Sequence, residues 1–314
     1  MRVIVTGATG FIGRPLVTSF LADGDEVTIL TRGRPSRTPD PVRTVVWPTG
    51  AGGPEEVDAA WWESLDGADA VVHLAGEPIA ARRWTPEQKE CIHQSRVQGT
   101  RTLVEGLARV KQRPRILVSS SAVGYYGPRG DEEVTEDELP GGDFLSQVCV
   151  AWEQEARRAE SLGVRVVLLR TGIVLERDGG ALPRMLTPFR SFVGGPIGSG
   201  RQWMSWVHRD DLVGLIRFAI GNKAVRGPLN AVAPNPKTNR DFSRTLGRVM
   251  GRPAWAPVPG PLLRLVLGEM AEALLLTGQR VVPAKAMELG FRFQHPELKA
   301  SLRAILDRDP GHPQ

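Results

Sequence analysis

The stretch Met1-Arg2-Val3-Ile4-Val5-Thr6-Gly7-Ala8-Thr9-Gly10-Phe11-Ile12-Gly13 decides the fold. A short apolar run enters a turn with glycines at 7, 10 and 13, and an amphipathic pattern begins directly after it. A strand, a glycine turn and a helix in that order form a phosphate-binding corner. The first glycine turns the chain sharply, the second lets a pyrophosphate approach the backbone, and the third packs helix on strand. The helix N-terminus then offers free N–H groups and a partial positive charge to the phosphates. Gly7, Thr9, Gly10, Phe11, Ile12 and Gly13 are therefore candidate dinucleotide contacts.

Outward from this corner, apolar runs alternate with helical patterns. Strands are expected at 2–6, 26–30, 44–47, 70–74, 116–119 and 164–170, with helices at 12–22, 55–65, 86–110 and 144–162. Thr85, Pro86 and Gln88 make a capping-box start for the third helix. Strands alternating with helices mean an α/β fold, a Rossmann-type doubly wound parallel sheet covered on both faces. Beyond Arg170 glycine loops intervene, then a strand at 205–207, a helix at 210–220, a strand near 229–232, and a mainly helical remainder from Lys237. The expected domains are a dinucleotide-binding unit over 1–172, with 205–233 returning to it, and a smaller, mainly helical substrate-side unit from 173–204 and 234–314. Asp309–Gln314 reads as a frayed tail.

The second strand ends in Ile29-Leu30-Thr31-Arg32. An NAD site puts an acid there to hold the ribose hydroxyls, and that acid repels a 2′-phosphate. Thr31 with Arg32 instead offers a hydroxyl and a guanidinium, so NADP is the expected cofactor. The alternative for Arg32 is an ordinary surface charge.

Composition narrows the remainder. The chain has 314 residues, a net charge of +5 and two cysteines, Cys91 and Cys149. Two cysteines build no disulfide framework, no metal-ligand spacing appears, and a reducing, cytoplasmic compartment is expected. No apolar stretch is long enough to span a membrane. For want of such a stretch no membrane partner is expected, and the arginines read as scattered, with a loose cluster at Arg32, Arg34 and Arg37, so no nucleic-acid partner is expected either. A small-molecule substrate or ligand is, and the oligomeric state is left open.

Further motifs carry a resemblance. Together with 6–13, Val72-His73-Leu74-Ala75-Gly76 and Ser119-Ser120-Ser121-Ala122-Val123-Gly124-Tyr125-Tyr126-Gly127 resemble the extended short-chain dehydrogenase/reductases, the sugar-nucleotide epimerase-like group. Gly194–Gly200, Gln202–Asp211, Gly278–Lys285 and Gly290–Phe293 resemble an atypical subgroup labelled epimerase family protein. The resemblance implies an NADP-binding Rossmann domain and a smaller C-terminal domain. It implies cofactor contacts at Leu74, Ala75 and Gly76, backbone contact from Val174, and further contacts from Glu90 and Arg96, the last replacing a family asparagine.

The resemblance also exposes a gap. The wider family uses a tyrosine and a lysine four residues apart on one helix face, for proton transfer and for lowering the phenol pKa. Here Leu145 and Cys149 fall at those positions. Ser121 matches the family's substrate-orienting serine. The two tyrosines of the chain, Tyr125 and Tyr126, follow it directly, which makes Ser121 and Tyr125 the candidate catalytic pair. The alternative is that both tyrosines only pack. Substrate-side arginine is replaced by Met204-Ser205, with Arg201 upstream, while His208 and Asp210-Asp211 read as a strand-to-helix cap. Two functions remain open: an NADP(H)-dependent oxidoreductase- or epimerase-like enzyme with a non-standard proton donor, or a non-catalytic NADP(H)-binding sensor or regulator. A sugar-nucleotide epimerase is a distant third.

Overall fold

The computed structural model describes residues 1–33, 42–48 and 60–307. In chain order the elements are β1 (Arg2–Thr6), α1 (Gly13–Ala22), β2 (Glu26–Thr31), β3 (Arg43–Val46), β4 (Ala70–His73), α2 (Pro86–Arg109), β5 (Ile116–Ala122), β6 (Glu133–Val134), α3 (Phe144–Arg157), β7 (Arg165–Thr171), β8 (Ile173–Glu176) and β9 (Gly179–Gly180). They continue as α4 (Leu182–Arg190), β10 (Trp203–Met204), β11 (Trp206–His208), α5 (Arg209–Gly221), β12 (Gly227–Ala231), β13 (Lys237–Thr238), α6 (Asn239–Met250), α7 (Gly260–Leu267), α8 (Glu269–Ala271), β14 (Arg280–Val281), α9 (Ala284–Glu288) and α10 (Leu298–Leu306).

Among the described residues, seven strands form one sheet in the order β12-β7-β5-β4-β1-β2-β3. The pairs β1–β2, β1–β4, β2–β3 and β4–β5 are parallel. The strand order reverses between β1 and β4, and the crevice outside the carboxyl ends at such a switch point is where doubly wound sheets bind ligands. Val3, Val5, Val71, Val72, Leu117 and Val118 are fully buried, as expected for strands covered on both faces.

Helix packing follows the 3.6-residue period. α1 buries Gly13, Leu16, Val17 and Phe20, and each large apolar side chain contributes roughly 1.5–3 kcal/mol when removed from water. α2 starts as the capping residues predict: Thr85 Oγ1 accepts from the Gln88 N–H at 3.2 Å, with Pro86 in the first turn. Its Gly106 receives the Trp61 ring, because a Cβ there would lie 2.4 Å from the indole. α3 is capped by Asp143, whose carboxylate accepts from the Ser146 N–H at 2.8 Å.

The chain splits into two compact units. The first comprises 1–125, 140–170 and 213–229, the second 126–139, 171–212 and 230–314. In the second, β8 pairs parallel with β11 and antiparallel with β9. Its core gathers Leu182, Leu186 and Phe189 of α4, Phe242 and Leu246 of α6, and Leu298, Leu302 and Ile305 of α10.

Several elements depart from the sequence reading. The helix expected at 55–65 is a 3-10 turn over Trp61–Leu65, and 55–59 lie outside the described residues. The helix expected to reach residue 162 ends at Arg157 and tightens into a 3-10 turn, Arg158–Leu162, closed by Gly163 at φ +81°. The 116–119 strand continues to Ala122, and the 205–207 strand is shifted to 206–208. β8 was not anticipated. Arg34, Arg37 and the 309–314 tail lie outside the described residues.

Candidate functional site

The glycine corner stands at the switch point. Thr6 is in register with Leu30 on one side and His73 on the other, so Thr31–Arg32 and Leu74–Gly76 leave the sheet level with the turn. Gly7 has φ +67°, and a Cβ there would lie 2.8 Å from the Leu74 carbonyl. A Cβ on Gly13 would lie 2.3 Å from the Gly7 oxygen. These two glycines are required by the protein's own packing. Gly10 differs: its Cβ would meet only the Gly7 oxygen, at 3.1 Å, and Thr9 and Gly10 are exposed. The open side of Gly10 is the cradle into which a pyrophosphate fits.

The helix behind the cradle is left ready for an anion. Ile12 at the start of α1 gives no side-chain cap, and the first turn holds no acid. By contrast Thr85, Asp143 and Thr238 cap α2, α3 and α6. With no side-chain cap and no acid at this end, the helix dipole favours negative charge at α1. Phe11 and Ile12 are half-buried at this edge.

A buried network that the sequence reading missed fixes the corner. Thr6 Oγ1 accepts from the Leu74 and Ala75 N–H groups at 3.1 and 3.2 Å. Its own proton therefore goes to His73 Nδ1, 2.7 Å away. His73 must then carry its hydrogen on Nε2 and donate it to Thr100 Oγ1 at 3.0 Å. Full burial pushes the His73 pKa down to about 4, so the ring is neutral near pH 7.

The proton-transfer station of the family is occupied by different chemistry. Leu145 is half-buried against Gly124, and Cys149 is buried, its Sγ 3.8 Å from the Ala122 oxygen. Burial, with Glu153 nearby, pushes the Cys149 thiol up to about 12. Neither side chain can exchange a proton at neutral pH. Ser121 Oγ donates to Glu153 Oε1 at 2.7 Å, and Arg170 grips the same carboxylate with Nε and Nη2 at 2.9 and 3.0 Å. Arg170 and Glu153 are 2% and 4% exposed, a fully desolvated fork. The Arg170 guanidinium also lies 3.5 Å from the centre of the Tyr125 ring. Ser121 and Tyr125 thus meet around one buried ion pair. Tyr126 is buried and donates to Asn230 Oδ1 at 2.6 Å, a packing role.

Comparisons with known proteins identify the family of the chain. The profile of the NAD dependent epimerase/dehydratase family matches residues 3–231, and a domain of unknown function, DUF1731, matches 258–305. The chain belongs to that family. It is 44% identical over 308 residues to the chloroplastic SDR39U1 homolog of Arabidopsis thaliana, an epimerase family protein, covering 98% of this chain and 87% of the relative. The crystal structure of human SDR39U1 with NADPH superposes with a TM-score of 0.84 at 36% identity, covering 98% of this chain and all of that one. A nucleoside-diphosphate sugar epimerase of Corynebacterium glutamicum gives 0.77 at 34%, and there the match spans 58% of the longer chain.

Within this family member, the remaining candidate residues distribute unevenly. Thr31 Oγ1 donates to the Gly33 oxygen at 2.9 Å, and Arg32 is exposed beyond it. Arg96 does not point to solvent. It donates to the Glu77 and Ile92 oxygens at 3.0 and 3.1 Å, faces Trp152, and packs beside Gly76. Arg96 therefore holds the Leu74–Glu77 segment from behind. Glu90 lies six residues earlier, about 120° away round the helix, exposed and accepting from Gln94 at 2.6 Å. The structure does not bring Glu90 beside Arg96. Val174, in β8 of the second unit, pairs with Val207.

The second unit also gathers His208, Asp210 and His295, three potential metal ligands that sequence spacing did not reveal. Their geometry argues against an ion. The two imidazoles stack at 3.8 Å with planes 21° apart, whereas a metal takes an in-plane lone pair from each ring at about 2 Å. The expected capping roles are also redistributed. His208 Nδ1, not an acid, accepts from the Asp210 N–H at 3.0 Å, while the Asp211 carboxylate accepts from the Gln294 and His295 N–H groups at 2.7 and 2.9 Å.

Proposed function

We propose that this protein binds NADP(H) at the Gly7–Gly13 corner and acts as an oxidoreductase on a small carbonyl or hydroxyl compound without the usual tyrosine–lysine pair. The observation that carries the binding part is the open side of Gly10 in front of an uncapped, acid-free helix start. Thr31 and Arg32 in place of an acid favour the 2′-phosphorylated form. The NADPH in the human relative's structure supports the same choice.

When bound, the nicotinamide supplies a hydride. The chain's own residues must then hold the substrate and deliver a proton. Leu145 cannot, and Cys149 keeps its proton. Ser121 Oγ spends its hydrogen on Glu153 but retains lone pairs to accept from a substrate hydroxyl. The Tyr125 phenol is the remaining proton carrier of the motif, its ring set in place by the Arg170 guanidinium. Tyr125→Phe should lower turnover about 10²–10⁴-fold with cofactor affinity unchanged, the usual contribution of a general acid or base. A carbonyl-compound screen following NADPH absorbance supplies the assay. Full activity in both Tyr125→Phe and Ser121→Ala would sink the assignment.

A second reading is favoured by the same ion pair. Ser121, Glu153 and Arg170 satisfy one another, as structural groups do. A broad screen without turnover, together with a partner that binds only the NADP(H)-loaded protein, would make this a sensor.

A further inference from the structure

Charge and apolar exposure are both concentrated in two segments of the second unit. Residues 182–201 and 237–268 hold nine lysines and arginines against one acid, Asp241, so these 52 residues carry +8 in a chain of net charge +5. Of the nine large hydrophobic residues that are exposed among the described residues, six fall in the same two segments: Phe192, Val193, Trp255, Leu262, Leu265 and Val266.

α6 orders the charge. Arg240, Arg244 and Arg248 recur every four residues along its exposed side, and Arg252 continues the spacing beyond the helix end. Four residues advance an α-helix by about 6 Å and 40°, so the three helical arginines share one face. Like charges at this spacing oppose each other and destabilise a helix. Asp241 offsets one of them at 3.9 Å. The opposite face of α6, with Phe242 and Leu246, is buried in the core and fixes the stripe outward.

Aromatic side chains close the end of the stripe. The Arg252 guanidinium lies 4.3 Å from the centre of the Phe192 ring, and the Trp255 indole donates to the Phe192 oxygen at 3.0 Å. Phe192 has φ +61°, the one non-glycine residue with positive φ among those described. It follows α4 at the position where a helix end favours glycine. A strained, 52%-exposed phenylalanine beside a 67%-exposed tryptophan displays apolar surface at a local cost.

We infer that this face, Arg240–Arg244–Arg248–Arg252 with Phe192, Val193 and Trp255, docks the protein on an anionic lipid surface. Guanidinium groups meet the negative headgroups, and the rings and Val193 enter the interfacial layer. The exposed aliphatic residues favour lipid over nucleic acid, which rewards arginines and stacked rings but offers nothing to Val193. The inference is independent of the cofactor reading and revises the scattered-arginine reading of the sequence.

The test is flotation of the full chain with vesicles of phosphatidylcholine alone or with added phosphatidylserine. Binding is expected only to the anionic vesicles and should weaken as salt rises. Arg244→Gln with Arg248→Gln should reduce binding about 25-fold, at roughly fivefold per arginine near a charged surface, with the melting temperature held. Phe192→Gly relieves the backbone strain, so it should bind less while melting no lower. Phe192→Gly with Trp255→Ser should then lose most of the binding with every arginine present. No binding to anionic vesicles, or equal binding by the arginine variants, overturns the inference. Binding to single-stranded or duplex DNA with vesicles ignored overturns it in favour of a nucleic-acid face.

Discussion

The glycine corner and the Ser121–Glu153 region lie in the same unit and illustrate opposite fates of polar groups. At the corner, the start of α1 carries no side-chain cap and the space beside Gly10 is left open. Around Ser121, each donor has been given an internal acceptor: Ser121 and Arg170 both close on Glu153. Open polar groups can be satisfied by a ligand, whereas closed ones stabilise the protein itself. The family's two tasks, holding a cofactor and moving a proton, have therefore separated. The corner leaves space for a ligand, whereas the place of the missing tyrosine–lysine pair lies beside a closed ion pair.

The largest test of this contrast is Gly10→Val. The added side chain meets little of the protein, since even its Cβ touches only the Gly7 oxygen. It should abolish NADPH binding in a fluorescence titration while the melting temperature falls by only a few degrees. Gly13→Ala should lose stability and NADPH binding together, because its Cβ would enter the Gly7 carbonyl and prevent the corner from forming. Normal NADPH affinity in Gly10→Val would show that the phosphate site lies elsewhere.

Next in size is Glu153→Gln. Removing one partner of a buried pair strands the Arg170 charge and costs about 3–5 kcal/mol. Chemical denaturation should show that loss, with NADPH affinity unchanged. An unchanged denaturation midpoint would mean that the pair is not the structural centre of this region.

How far the sequence reveals these two regions differs for a physical reason. The corner is local. Seven residues, 7–13, contain the glycines, the turn and the helix start, and β1 ends where the apolar run ends. The Glu153 network is non-local, joining positions 17 and 32 residues apart on different elements. A signal was present. Glu153 is four residues past Cys149 and eight past Leu145, so all three share a helix face, and an acid on that buried face needs a partner. Arg170, ending the run Val164–Leu169, was the matching cation. Thr6 was hidden differently, because a threonine at a strand end reads as ordinary until β4 delivers Leu74 and Ala75 to it. Glu90 stands about 120° round α2 from Arg96 and is exposed, so the helix step separates these two residues. The four-residue arginine period was legible throughout, but it emerges as a stripe only when the exposed face of α6 is known.

A smaller effect comes from His73, which couples the corner to pH. Its folded pKa, about 4, lies below the ordinary histidine value of 6.5. Between these values the unfolded chain takes up a proton that the folded chain refuses. The stabilisation is therefore complete above pH 6.5, declines as pH falls, and levels off below about 4. The full change is roughly 3 kcal/mol at 1.36 kcal/mol per pKa unit. Urea midpoints of wild type and His73→Gln, compared from pH 7.5 to 4, should converge on acidification. Parallel curves would mean that His73 is not the group titrating.

The finest distinction concerns Arg32. If the corner chooses its cofactor by charge, the choice rests outside the glycines, on the residue that leaves β2 one place beyond Thr31. Arg32 is exposed, so its interaction with a 2′-phosphate is partly screened, and a charge-assisted bond there is worth about 1–3 kcal/mol. Arg32→Ala should weaken NADPH binding about 5- to 150-fold, the equivalent of that energy at 1.4 kcal/mol per tenfold, and leave NADH binding nearly unchanged. The loss should shrink at high salt, because an exposed guanidinium loses its advantage as counter-ions crowd the phosphate. Equal losses for both nucleotides would mean that Arg32 supports the loop rather than reading the phosphate. In that case Thr31, whose hydroxyl is already committed to the Gly33 oxygen, could not supply the discrimination, and the absence of an acid would be the only feature favouring NADP(H).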